Sequence, residues 1–172
     1  MVTDAETAPD WSREHRPRGV WSPDRSLLKT IRDYQRHRAR GGPVSAVARR
    51  WAVLRHRFWS AVTGADIPIN APIGGGLMIP HPNGIVIHPA STIGPNCLIL
   101  QQVTLARMIN GSPTLGAHVD IGAGAKLLGG IHIGDHARIG ANAVVMQDVP
   151  AGATAVGIPA RIIPDKRPVP RP

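Results

Sequence analysis

Residues 115–145 read LGAHVDIGAGAKLLGGIHIGDHARIGANAVV, and every sixth position in that stretch is a branched aliphatic: Leu115, Ile121, Leu127, Ile133, Ile139 and Val145. An amphipathic helix repeats its apolar positions every 3.6 residues and a half-buried strand every second one. A spacing of six fits neither. It fits a solenoid in which each hexad is one short strand and one turn, with a single aliphatic side chain sent to the axis. Gly follows the aliphatic at 116, 122, 134 and 140, and Ala125, Ala137 and Ala143 stand four places after it, where a small residue suits a corner. Gly124, Gly130, His136 and Asn142, three places after it, suit a turn with positive φ.

The same clock runs upstream through Ile87, Ile93, Ile99 and Leu105, and before that through Ile67, Ile73 and Ile79, with Ala71, Ser91 and Cys97 at the small position and Asn96 at the turn. Three hexads per coil and strands about 4.8 Å apart predict about four coils. Two steps break the count: eight residues from Ile79 to Ile87, containing His81, and ten from Leu105 to Leu115, containing Arg107 to Ser112. Solenoid insertions map to loops on one face, often the binding face, so chemistry is sought there and the second is expected to project.

Ahead of the solenoid the pattern is helical. Ser22 and Pro23 open a helix with Leu27, Leu28, Ile31 and Tyr34 at helical spacing, stopped by Gly41 and Gly42. A second, from near Pro43 to Gly64, carries Val44, Val47, Trp51, Leu54, Phe58 and Val62 on one stripe and Arg49, Arg50, Arg55 and Arg57 on the other face, read as solvated. The expected organisation is a poorly ordered terminus over 1–22, a helical segment over 23–63, a β-solenoid over 64–163 and a tail over 164–172. The fold class is mainly β.

Aromatics supply only 3% of the 172 residues, so Ile, Val, Leu and Ala must fill a narrow core. Lone Cys97 excludes an internal disulfide framework, and the first 25 residues hold no apolar run of signal-peptide length. With no 18-residue apolar stretch either, a cytoplasmic protein is expected and a membrane partner is not. The formal charge of +9 attracts polyanions; no known nucleic-acid motif accompanies it, so nucleic acid is not expected.

Over Gly64 to Ile163 the chain resembles the hexapeptide-repeat acyltransferases and, within them, the serine acetyltransferases. The stretches that carry the likeness are GADI from Gly64, IPHPNGIVI from Ile79, ILQQVTL from Ile99, IGAGAKLLG from Ile121 and VGIPARII from Val156. The resemblance implies a left-handed parallel β-helix, preceded by helices and assembled as a homotrimer or a multiple of trimers with sites between prisms. It also implies acetyl-coenzyme A as cosubstrate, no metal, O-acetylation of L-serine and a place in cysteine biosynthesis.

His81 occupies the position of that family's catalytic base, and Asp66 that of the carboxylate orienting the imidazole. A base of near-neutral pKa suits removal of a hydroxyl proton during acyl transfer. Gly122, Ala123 and Ala141 match positions along the pantetheine arm, while Arg138, Arg161 and Lys166 are candidates for its phosphates. Cys97 falls at a regular corner, which favours direct transfer over an acyl-enzyme.

Two departures concern the acceptor. The loop that in the family carries an Arg-His pair is shortened and reads Asn110-Gly111-Ser112-Pro113, and the Asp expected before the catalytic His is Pro80. Arg107 is the candidate for replacing the carboxylate contact. A sugar, polysaccharide unit or natural-product hydroxyl is the alternative acceptor. A zinc enzyme using His81, His88 or His118, and a non-catalytic binding protein, are the rival classes.

Overall fold

A computed structural model describes residues 8–16 and 19–165. Its centre is a parallel β-helix whose rungs stack into three faces. The first face holds β1 (Val86–Ile87), β4 (Thr104–Ala106), β7 (Lys126–Leu128) and β10 (Val144–Val145) in parallel order, with Asp66 bridged to Val86 beneath them. The second holds β2 (Thr92–Ile93), β5 (Thr114–Leu115) and β8 (His132–Ile133), with Ile73 below and Val149 above. The third holds β3 (Leu98–Ile99), β6 (Asp120–Ile121), β9 (Arg138–Ile139) and β11 (Thr154–Val156), and then β12 (Arg161–Ile163), which runs antiparallel to β11. From Asp66 to Val144 the chain makes four full turns. The left-handed β-helix class expected from the sequence is the class observed.

All thirteen aliphatics of the six-residue series are buried, none more than 5% exposed. Each is the second residue of its rung, so the preceding residue faces outward and a register slip of one would invert the prism. A second buried position lies two residues earlier and forms the corner. It holds Ala71, Ser91, Cys97, Ala125, Ala137 and Ala143, but also Leu77, Val103 and Val119. Removing that much apolar surface from water, at ~25 cal/mol per Å², is what holds rungs only two or three residues long in place. The corners turn through left-handed backbone at Asn96, His118, His136 and Asn142. At the corner expected at Gly130, Gly129 has the positive φ of 86° instead: the longer strand β7 ends at Leu128 and displaces the turn.

Helix α1 (Pro23–Arg40) buries Leu27, Leu28 and Ile31 in the same core as the first coil. Arg32 fastens it there by donating to the carbonyls of Ile73 (2.7 Å) and Gly74 (2.6 Å). Gly41 and Gly42, both at positive φ, reverse the chain into α2 (Gly42–Thr63). The orientation of α2 corrects the sequence reading. Its inward residues are Ser45, Ala52, His56 and Thr63, and the apolar stripe faces out, with Val44 80% and Trp51 61% exposed. Small side chains admit close approach to α1, and polar contacts claim the inner face: Arg55 donates to Asp33 at 3.1 Å, and His56 bridges Thr30 and the Ile67 carbonyl.

Of the segment expected to be a poorly ordered terminus over 1–22, residues 1–7 and 17–18 lie outside the described residues, and part of the rest lies against the prism. Trp11–Glu14 forms a single 3-10 turn. Glu14 accepts from Arg32 at 2.8 Å and from the Leu77 backbone at 3.1 Å, and Asp10 donates its backbone N–H to the Asn96 side chain at 2.7 Å. Satisfying a buried guanidinium and a corner amide is reason enough for this stretch to dock.

Candidate functional site

The edge where the third face turns into the first is the place where most candidate residues meet. His81 lies in the widened turn between Met78 and Val86, flanked by Pro80 and Pro82 and held between buried Ile79 and Ile85. The turn is pinned at its far end: Gly84 donates to the Gly64 carbonyl at 2.8 Å, Ile85 to the Pro82 carbonyl at 3.1 Å, and the Gln102 amide to the Asn83 side chain at 3.1 Å. The imidazole is therefore exposed on a backbone that has few ways to move. Asp66 stands across the same edge, on the lowest rung of the first face, with its backbone bonded to Ile85 and Ile87. Its carboxylate is exposed, and among the described residues no hydrogen bond joins it to His81. Its charge also acts on the buried His56 ring, where it favours the protonated form.

Above His81 the corners stack in register. Gln102 donates to the Asn83 carbonyl at 3.0 Å, Gly124 to the Gln101 carbonyl at 2.8 Å, and Asn142 to the Ala123 carbonyl at 2.8 Å. Gly122, Ala123 and Ala141 thus occupy the same edge as His81, two and three steps of about 4.8 Å further along. Gly122 is there for a steric reason as well: a Cβ would sit 2.6 Å from the Ala141 nitrogen and 2.9 Å from the Gly140 carbonyl carbon. Between the two groups lies Gln101, whose buried Oε1 has no hydrogen-bond partner among the described residues. An unpaired buried amide oxygen costs roughly 1–3 kcal/mol, so it is a candidate acceptor for a ligand donor on this edge. The signal in the sequence is a long polar side chain at Gln101, where later hexads carry Ala117, Ala123, Gly129, Asp135 and Ala141.

Arg138 and Arg161 are exposed on the third face beside this edge, on β9 and β12. Lys166 lies outside the described residues. Arg107 is exposed where the chain leaves β4. The ten-residue step does project: Met108 and Gly111 exchange backbone hydrogen bonds at 2.9 and 3.1 Å, and the fully exposed Ile109 forms the tip with Asn110. That places an apolar tip where the likeness would have a charged clamp.

The remaining histidines separate by environment. His118 and His136 stack at 4.8 Å on the edge between the second and third faces. His88 Nδ1 accepts from the Ala90 N–H at 3.1 Å and lies 3.3 Å from the Ser112 hydroxyl. His56, assigned no role from the sequence, is buried; desolvation lowers its pKa, partly offset by the Ile67 carbonyl and Asp66. Because a carbonyl only accepts, neutral His56 carries its proton on Nε2 toward Ile67, at 2.9 Å. Burial pushes the Cys97 thiol up to about 11, so it stays protonated at neutral pH.

The family model for the bacterial transferase hexapeptide (six repeats) matches residues 112–147. The chain is built on the hexapeptide repeat. This hexapeptide-repeat chain is 48% identical over 110 residues to a serine acetyltransferase of Helicobacter pylori (strain J99), covering 62% of this chain and 64% of that one. Among solved structures it resembles a serine acetyltransferase in complex with CoA, at 36% identity and a TM-score of 0.70, covering 84% of this chain and 58% of the other. It also resembles the Neisseria gonorrhoeae serine acetyltransferase in complex with serine, at 34% identity and a TM-score of 0.69, covering 82% and 57%. The hexapeptide-repeat chain spans less than two thirds of the length of each.

Proposed function

We propose that this protein is an acetyl-coenzyme A-dependent O-acetyltransferase whose acceptor is L-serine. The observation that carries the reading is the edge itself: a rigidly framed, exposed imidazole at one end, followed in register by Gln101, Gly122-Ala123 and Ala141. A long, thin thioester needs such a track, with small residues that let it lie against backbone and a base where its reactive end stops. The relatives bound to CoA and to serine support the same assignment.

In the proposed step His81 takes the proton of the acceptor hydroxyl as its oxygen attacks the thioester carbonyl. The C–S bond breaks, the acetyl group passes directly to oxygen, and the departing sulfur takes the proton. Asp66, acting on His81, would fix its tautomer and stabilise the imidazolium. Arg138, Arg161 and Lys166 offer charge to the phosphates, and Arg107 to an acceptor carboxylate. A single prism leaves both His81 and Asp66 open to water, so the proposal includes a homotrimer in which a neighbouring prism walls the site and brings the acceptor between them.

One observation favours a second acceptor class. The loop tip is Ile109-Asn110 instead of a cationic pair, and Pro80 replaces a carboxylate beside His81, so a buried zwitterion would lose partners worth several kcal/mol. A less charged hydroxyl compound, such as a sugar, fits that tip better.

The test is release of free coenzyme A from acetyl-coenzyme A with L-serine, homoserine, sugars and amino sugars. Release with L-serine that drops by at least ~10² in His81→Ala, with the thermal midpoint retained, is the expected result. Release with sugars alone replaces the acceptor, and an unchanged rate in His81→Ala removes the base.

A further inference from the structure

Away from the prism edge, the described chain holds a cleft of about 230 Å³ between the Trp11–Arg16 segment and one face of α1. That face is set by spacing: Arg25, Lys29, Arg32 and Arg36 follow one another at four, three and four residues, so all point the same way. Arg16 closes the opposite wall, and five cationic side chains share the space with two carboxylates.

Both carboxylates are already engaged. Glu14 receives the Arg32 guanidinium at 3.0 and 2.8 Å, in a pair whose side chains are only 9% and 11% exposed, and it accepts from the Leu77 amide as well. Asp33 takes Lys29 and Arg55, each at 3.1 Å. Arg25 reaches only the His15 carbonyl, and Arg16 and Arg36 have no partner among the described residues. Among the described residues, three guanidinium charges are therefore without a carboxylate partner in one cleft. Gathering like charges in a partly enclosed space is unfavourable unless an anion completes it. Trp11, 57% exposed, carries the Arg32 guanidinium at 5.5 Å from its ring centre and offers an apolar wall beside those charges.

We infer that this cleft binds a small phosphate-bearing ligand, with Arg36 and Arg25 gripping the phosphate and the Glu14–Arg32 pair holding the wall rigid. Forked guanidinium donors match phosphate oxygens in pairs, and a doubly charged group answers an excess of three cations where one carboxylate would not. The volume lies below the roughly 300–1,000 Å³ of sites that take drug-sized molecules, so the phosphate carries at most a short substituent. The inference does not rest on the transferase reading, since none of its residues belongs to the edge described above. It does touch the prism: Arg32 bonds to the first coil, so an occupied cleft stiffens the joint between α1 and the solenoid.

The test titrates the full chain with inorganic phosphate, inorganic pyrophosphate and glycerol phosphate at constant ionic strength, read by calorimetry and tryptophan fluorescence. Saturable binding at one site per chain is expected, weakened at least ~10-fold in Arg36→Gln and Arg25→Gln and unchanged in Arg138→Gln. Arg36 is exposed and has no hydrogen bond or ion pair among the described residues, so its replacement is expected to leave folding intact. Tighter binding of glycerol phosphate than of inorganic phosphate identifies an organic ligand; the reverse identifies the free ion. Binding that sodium chloride mimics, that Arg36→Gln leaves unaltered, or that Arg138→Gln abolishes overturns the assignment.

Discussion

The prism and α2 both carry a regular apolar series, and they bury it in opposite ways. In the prism every aliphatic of the six-residue series points to the axis. On α2 the three-and-four series from Val44 to Val62 points outward, while serine, alanine and histidine face the protein. Periodicity tells which residues share a face, and it names what covers the face only when the element closes on itself. A coil of the prism supplies its own interior. A helix does not.

The comparison can be broken most sharply in the prism core. Ile121→Ala, at a site 1% exposed, is expected to cost about 2–5 kcal/mol, measured by denaturant unfolding, since collapsed rungs cannot refill the axis. A cost below ~1 kcal/mol would mean the axis is loosely packed. Next comes Gly122→Ala, whose new Cβ meets backbone atoms of Gly140 and Ala141 at 2.6–2.9 Å; about 1–3 kcal/mol is expected, with a raised KM for acetyl-coenzyme A if the edge is its track.

The inner face of α2 is probed by pH. Burial lowers the pKa of His56 in the folded chain, so the unfolded chain binds its proton first as pH falls. Stability from this group is complete above the unfolded value of about 6.5 and declines as pH falls below it. Thermal midpoints between pH 7.5 and 5 should show that decline, and His56→Gln should flatten it. The smallest effect is expected on the outer face. Leu54→Ser, at 56% exposure, should change stability by no more than about 0.5 kcal/mol in dilute protein, and a loss matching that of Ile121→Ala would show the face is covered in solution.

What could be read in advance follows the same division. The solenoid was legible from Leu115 to Val145 because one residue in six is dictated by the axis whatever its neighbours do. The corner position was half legible: Ala125 and Ala143 advertised it, but Leu77 and Val103 fill equivalent corners and looked like ordinary apolar residues. His81 stood out because it interrupts a count. Gln101 and His56 did not, since an unpaired amide oxygen and a buried imidazole are consequences of packing that no spacing reveals. The orientation of α2 was hidden for a related reason: it depends on Thr30, Asp33 and Ile67 accepting or offering hydrogen bonds from other elements.

A ladder of near-identical rungs with unfilled backbone donors and acceptors at both ends is a template for endless growth. Here each terminus has its stopper. Below, Leu27, Leu28 and Ile31 plug the opening, and above, β12 reverses direction across β11, so the last rung of the third face presents an antiparallel partner that no incoming parallel strand can copy. Filament formation is thereby blocked by the chain's own first helix and last strand, and shortening either should turn a discrete particle into a sticky one.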